Sequence, residues 1–383
     1  MRNKKRYWKV KSKVSIVRCE DYTLDNVRSA VHKSFVHLGG LEKFVKKDQR
    51  VLIKPNLLSA KDPSRAITTH PAVVQAVVEE VQKIGATPIL GDSPGGVERG
   101  VKRVWENTEM SEVAGSTGAK LVAFESGGVY EKRTNNGKRY FIAKPIVDSD
   151  VIISLPKLKT HTLTLMTCAV KNMFGSIPGF RKSEYHRDTP KPGDFARVIV
   201  DIYSLTKPHM SLVDAVVCMD GDGPSSGNPK YLGLLFASTD AVALDMVAAK
   251  IMGFKDGEIE TTSVAQEKGL GASSFSEIEM LGEKLAELSL PKFTLPSNRF
   301  LKLIPKFLLA PIKPLVWVRP GILDGNCTNC NICVDNCPTN SIQKGEKTPY
   351  FDYTNCINCM CCHELCPQKA VFLKKSWLAK KIA

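Results

Sequence analysis

The 383-residue chain has no run of about 18 uninterrupted apolar residues, the least a membrane-spanning helix needs. Its charged start, MRNKKRYWKVKSK, leads into no apolar stretch of the kind a secretion signal carries, and the expectation is a cytoplasmic protein. Three fingerprints are also missing. Without G-x-G-x-x-G after a first strand there is no Rossmann dinucleotide signature, and without GxxxxGK[ST] there is no P-loop. The C-x3-C-x2-C triplet of radical SAM enzymes is absent as well. Cysteine is scarce outside one stretch: only Cys19, Cys168 and Cys218 lie before residue 327, which is no disulfide framework and suits a reducing compartment. Cys168 reads as a buried, inert thiol. Acid is lacking at both ends. Residues 1–13 hold seven Lys or Arg and residues 371–383 hold four Lys, so eleven of the net fifteen positive charges sit on two acid-free tails. No groove-reading motif accompanies them, and nucleic acid is not an expected partner.

What is present first is the rhythm of βα units. Residues 51–53 read as a buried strand ending in Lys54-Pro55-Asn56, and Val73, Val74, Val77, Val78 and Val81 give a helical spacing from Pro71 to about Ile84. A strand at Pro88–Leu90 then runs into the glycine-rich turn Gly91-Asp92-Ser93-Pro94-Gly95-Gly96. Leu121–Phe124, Val151–Leu155, Ser211–Val217 and Leu232–Ala237 are strand-like, and Thr239 to Ile251 is helical. The fold class expected is α/β, a Rossmann-like mixed or parallel sheet, with a small α+β bacterial-ferredoxin-like domain after it. The expected domains are a basic tail (1–13), the α/β domain (14–290), a linker (291–321), the ferredoxin-like domain (322–372) and a second basic tail (373–383). The linker is rich in proline and basic residues and has no acid, a composition that also suits peripheral contact with an anionic membrane.

The second feature is a pair of cysteine runs. Cys327, Cys330, Cys333 and Cys337-Pro338 follow C-x2-C-x2-C-x3-C-P, and the run returns 29 residues later as Cys356, Cys359, Cys362 and Cys366-Pro367. This is the two-cluster ferredoxin pattern, in which the fourth cysteine of each run ligates the other run's cluster. Two [4Fe-4S] clusters are expected, one on Cys327, Cys330, Cys333 and Cys366, the other on Cys356, Cys359, Cys362 and Cys337. A zinc ribbon would have no use for two identical four-cysteine runs each closed by proline. Cys361 has no place in the pattern and reads as a small filler.

Polar clusters stand at several strand ends, where open α/β sheets bind ligands. The densest is Lys157, Lys159 and His161, at i, i+2 and i+4, which fall on one side if the strand continues. Lysines suit an anion and histidine exchanges a proton near neutral pH, so these three are the candidate catalytic residues. Lys54, Asn56, Asp92, Lys171, Asn172 and Asp220 are the candidate substrate- or cofactor-binding residues.

Taken as a set, KPNLL at 54–58, GDSPGG at 91–96, LPKLKTH and AVKNMFGSIPG within 155–179, VDAVVCMDGDGPSSGNP at 213–229 and STDAVALDMVAAKIMG at 238–253 resemble one family. It is the widespread bacterial and archaeal family of iron-sulfur proteins built on a large domain of unknown function with an appended ferredoxin. The resemblance implies no settled reaction. The expected function is an iron-sulfur oxidoreductase that passes electrons through its clusters to or from an anionic small molecule held in the α/β domain. A redox partner protein would face the ferredoxin. The alternatives are a non-catalytic carrier or adaptor that docks a partner enzyme, and a redox sensor.

Overall fold

The computed structural model describes residues 11–95, 101–179, 181–189, 191–296, 318–357 and 360–377. Its frame is a ten-stranded mixed sheet. In chain order the strands are β1 (Ser12–Arg18), β2 (Arg50–Pro55), β3 (Thr87–Asp92), β4 (Lys120–Ala123), an outlying hairpin β5 (Val129–Arg133) and β6 (Arg139–Ala143), then β7 (Val151–Leu155), β8 (Lys157–His161), β9 (Leu165–Thr167), β10 (Met210–Asp220), β11 (Asn228–Ser238) and β12 (Ile278–Gly282). The sheet runs β12-β1-β11-β10-β7-β2-β3-β4, and β8 branches from β10 to carry β9. Strands β7, β2, β3 and β4 are parallel, whereas β10–β11 and β11–β1 are antiparallel.

The central strands are apolar on both faces, as parallel strands covered by helices must be. Leu52, Ile89 and Ile152 point into one core, while Val51, Ile53, Leu90, Val151 and Ile153 point into the other. The valine periodicity of residues 71–83 gives the helix Pro71–Lys83, which buries Val73, Val74, Val77, Val78 and Val81 in the second core. His70 caps it: its Nδ1 accepts from the Ala72 N–H at 3.2 Å, leaving Pro71 at the first turn, where no N–H is needed.

Pro156 splits one extended run in two. Strand β10 pairs with β7 through Met210 and Ser211, then with β8 through Asp214 and Met219, and the Asp214 N–H reaches the Pro156 carbonyl at 2.9 Å. This puts β8 inside the protein, which decides the fate of its lysines.

The chain after residue 317 is a small separate module. Strand Val318–Ile322 pairs antiparallel with Val371–Lys375, and Ile342–Gln343 pairs with Tyr350–Phe351. Composition had assigned 318–321 to the linker; backbone pairing makes them the module's first strand. At the other end Phe293 is buried in the α/β core, and Thr294 exchanges hydrogen bonds with Gly221 and Asp220. Residues 297–317, the bulk of the expected linker and of its membrane-suited segment, lie outside the described residues.

Candidate functional site

At the carboxyl edge of the sheet, residues from adjacent strands meet in one hydrogen-bonded network. Lys54, at the end of β2, has no exposed surface; its Nζ stands 2.6 Å from Asp92 Oδ1, at the end of β3, and donates to the Asn172 carbonyl at 2.8 Å. The other Asp92 oxygen accepts from the Leu57 N–H at 2.8 Å. Asn172 Nδ2 donates to Ser154 Oγ, and Asn56 bridges Asn172 Oδ1 to Lys159 Nζ, which also reaches the Ile67 carbonyl. Burial pulls the Lys54 pKa down, opposed by Asp92. Gly175 closes the pair: a Cβ there would lie 2.4 Å from Asp92 Oδ1 and 2.7 Å from Lys54 Nζ.

A second network stands beside it. Lys157, directly across from Asp214 in the β8–β10 register, places its Nζ 2.8 Å from Asp214 Oδ2 and 2.8 Å from the Tyr22 hydroxyl. That hydroxyl donates to Asp214 Oδ1 at 2.7 Å, and the His70 N–H donates to Oδ2 at 2.9 Å. Burial, then Asp214, hold the Tyr22 pKa well above its usual value. The His70 ring stacks on Tyr22 at 3.6 Å between centroids.

Lys157, Lys159 and His161 thus share a strand as expected, yet all three are buried, because β8 lies between β10 and β9. An anion beside Lys157 would have to compete with Asp214. His161 Nδ1 accepts from the Leu163 and Thr164 N–H groups, and burial, then Lys171, hold its pKa well below the usual value. The site therefore contains a neutral imidazole. Asp220 joins neither network: it accepts from the Thr294 N–H at 3.1 Å and pairs with Lys230 at 3.4 Å. Lys171 is half-buried, its Nζ 6.0 Å from the centre of the Phe174 ring.

Ser93, Glu125 and Lys182 extend the first network. Ser93 Oγ donates to Glu125 Oε1 and accepts from Lys182 Nζ, each at 2.5 Å, and Lys182 also donates to the Ser93 and Pro94 carbonyls. Burial lowers the Lys182 pKa to about 8, with Asp92 and Glu125 opposing. Beyond it, His186 packs against Phe195 with ring centroids 4.1 Å apart, and its buried Nδ1 has no hydrogen-bond partner among the described residues. Burial, then Lys171, bring its pKa to about 3. In the sequence Ser93 stands in the glycine-rich turn, whereas nothing local marks Glu125.

In the ferredoxin module Cys327, Cys330, Cys333 and Cys366 line one cavity, the set the crossed pattern requires. Among the described residues no three His, Cys, Asp or Glu side chains converge as they would on a single metal ion; these four thiols surround a space instead. The two crossing cysteines are held alike: Cys337 Sγ accepts from the Ser341 N–H and Cys366 Sγ from the Ala370 N–H, both at 3.2 Å. Of the ligands expected for the second cluster, Cys337 and Cys356 are half-buried, Cys362 is buried, and Cys359 lies outside the described residues. Cys361 is buried, 4.0 Å from Ser183 Oγ of the α/β domain.

The module rests on the sheet's carboxyl edge. Lys61 Nζ donates to the carbonyls of Cys366, at 3.3 Å, and Pro367; Lys369 Nζ reaches back to the Ser226 and Gly227 carbonyls, each at 3.3 Å. Leu365 fills the space beside Gly95, where an added Cβ would come within 3.1 Å of it. The turn after Asp92 and the turn after Cys366 are thus on the two sides of one seam.

His70 makes a pH prediction. Burial is the main cause of its lowered pKa, about 4, and its Nδ1 must stay bare to cap the helix. Between pH 6.5 and 4 the unfolded chain binds a proton there that the folded chain refuses, so stability falls as pH drops through this window. His70→Asn keeps a capping oxygen without a titration, and its urea-unfolding curve is expected to change less over this window than that of the wild type. Equal slopes would refute the assignment.

An α/β domain with a charged, buried network at its strand edge, carrying a two-cluster cysteine module on that same edge, defines an iron-sulfur electron-transfer protein of two domains. The sequence comparisons agree: residues 51–250 match the family model described as a domain of unknown function (DUF362), and residues 326–370 match that of a 4Fe-4S dicluster domain. The chain belongs to the DUF362 family and carries the dicluster domain at its C-terminal end. Thylakoid-associated protein sll1697 of Synechocystis sp. is 35% identical over 263 residues, 68% of this chain and 81% of the relative. Among solved structures, the lactate racemase apoprotein of Thermoanaerobacterium thermosaccharolyticum aligns with a TM-score of 0.40 at 10% identity, over 66% of this chain and 58% of that one. A Thermotoga maritima structural-genomics protein aligns at 0.38 and 9%, over 66% and 60%. This chain spans about three fifths of each of those two. No helix among the described residues is long and apolar enough to cross a membrane.

Proposed function

We propose that the protein is an oxidoreductase whose two clusters exchange single electrons with an anionic small molecule bound at the carboxyl edge of the α/β sheet. The observation that carries this reading is the seam: Lys61 and Leu365 bring the Cys366 turn onto the edge that holds Lys54, Asp92 and Asn172. An electron leaving a cluster at that turn has the polar network as its neighbour. Lys182, half-buried at this edge, donates to the Ser93 hydroxyl and to two backbone carbonyls and is a cation at hand for an anion, whereas Lys157 and Lys54 already face carboxylates. His161 and His186, both neutral here, accept a proton only when an added negative charge raises their pKa, which is the event that accompanies reduction of a bound anion. The clusters themselves supply one-electron chemistry.

The test uses protein prepared without oxygen, reduced, and challenged with a panel of carboxylates and phosphate esters while the cluster spectrum is followed. The expected result is stoichiometric reoxidation by a member of the panel, weakened about tenfold or more in Lys182→Met. If no member binds or oxidises the clusters while a redox partner protein does so quickly, the carrier reading replaces this one.

A further inference from the structure

Lys61 is an odd residue to bury. The residue is 8% exposed; among the described residues it touches no carboxylate, and its only hydrogen-bond acceptors are the backbone carbonyls of Cys366 and Pro367, more than 300 positions away in the chain. Two further cations stand near it. Arg65 and Lys369 both act on Lys61 to lower its pKa, after the larger effect of burial, and neither forms a salt bridge among the described residues. Three positive groups therefore share one seam; Asp62 acts on Arg65, but no described carboxylate forms a salt bridge with Lys61. Left alone this arrangement is repulsive, and burial adds to the cost of the Lys61 charge.

The missing counter-charge is supplied by the cluster site. The Cys366 and Cys330 thiols, which line the same cavity, are the groups that oppose the lowering at Lys61. A cubane held by four thiolates is anionic when oxidised and more so after taking an electron. A buried cation beside it is screened little by salt and stabilises the reduced form more than the oxidised form. Hydrogen bonds and local charge are the levers that set cluster potentials.

We propose that Lys61, a residue of the α/β domain, is a potential-setting residue of the Cys327–Cys330–Cys333–Cys366 cluster, raising its midpoint above the value that the ferredoxin module alone would give. Arg65 and Lys369 reinforce it. The electron is thereby drawn to the cluster at the seam. The proposal rests on cluster binding and not on the identity of any substrate, so its test needs none.

The experiment is an EPR-monitored redox titration of the full-length, iron-loaded protein and of Lys61→Met, Lys61→Arg and Arg65→Met, with iron counted in each. In Lys61→Met one of the two reduction steps is expected to move to lower potential by about tenfold in its equilibrium constant, about 59 mV for one electron, while the other stays. Lys61→Arg keeps the charge and is expected to stay near wild type. Arg65→Met, which breaks no seam hydrogen bond, shifts the same step by less, and it carries the test if Lys61→Met fails to load iron. Both steps unmoved, or both moved together, would overturn the proposal, the second outcome meaning that the module had merely come off the sheet.

Discussion

Replacing Asp214 with Ala is expected to destabilise the protein by about 3–5 kcal/mol, the range for removing one partner of a buried ion pair. Asp214 has no exposed surface, and four groups converge on it: Lys157 Nζ, the Tyr22 hydroxyl, the His70 N–H and, at 3.4 Å, the Val216 N–H. Without the carboxylate, Lys157 keeps the Tyr22 hydroxyl alone among those partners and must either hold an uncompensated charge or give up its proton. The backbone N–H of His70 loses its acceptor at the first turn of the Pro71–Lys83 helix, so two elements suffer at once. Urea unfolding followed by circular dichroism measures the effect. A loss under about 1 kcal/mol would mean that the pair contributes no more than an ordinary hydrogen bond. The double variant Asp214→Ala, Lys157→Met is expected to recover much of the loss, since replacing both partners leaves no orphaned charge.

The same pair shows where sequence reasoning stops. Alternation and valine spacing were enough for β2, β3, β7, β10, β11 and the Pro71–Lys83 helix, because those signals repeat locally. Lys157, Lys159 and His161 were legible as one face of a strand; that the face looks inward was not. Their polarity argued for an open pocket, and what neutralises Lys157 lies 57 residues further on, in a register set by β10. Lys54 and Asp92 could be placed at neighbouring strand ends, but their 2.6 Å contact needs the parallel pairing of β2 with β3 and the bare Cα of Gly175. The cysteines were the most legible feature, since a cluster's geometry is written in spacings of two and three residues. Lys61 was the least. It lies in an unremarkable loop, AKDPSR, and acquires meaning only when a turn 305 residues away folds against it.

Replacing Cys366 with Ala is expected to remove one whole cluster, halving the iron from about eight to about four atoms per chain. The informative part is which cluster goes. Cys366 belongs by sequence to the second run, yet its thiol lines the cavity of Cys327, Cys330 and Cys333. Cys366→Ala and Cys330→Ala should therefore leave the same residual EPR spectrum, that of an isolated cluster without magnetic coupling to a neighbour. Cys356→Ala and Cys337→Ala should leave a different one. If Cys366→Ala instead matched Cys356→Ala, each run would fill its own cluster, and the paired N–H bonds to Cys337 and Cys366 would serve some other end. The crossed arrangement also has a consequence for the seam. Because the Cys366 carbonyl is the one Lys61 holds, the cluster lost in Cys366→Ala is the one facing the α/β domain. That variant should keep one reducible cluster yet exchange electrons with the α/β site far more slowly than Cys356→Ala, which retains the cluster at the seam. Equal rates in the two would mean that the electron reaches the sheet edge by another path.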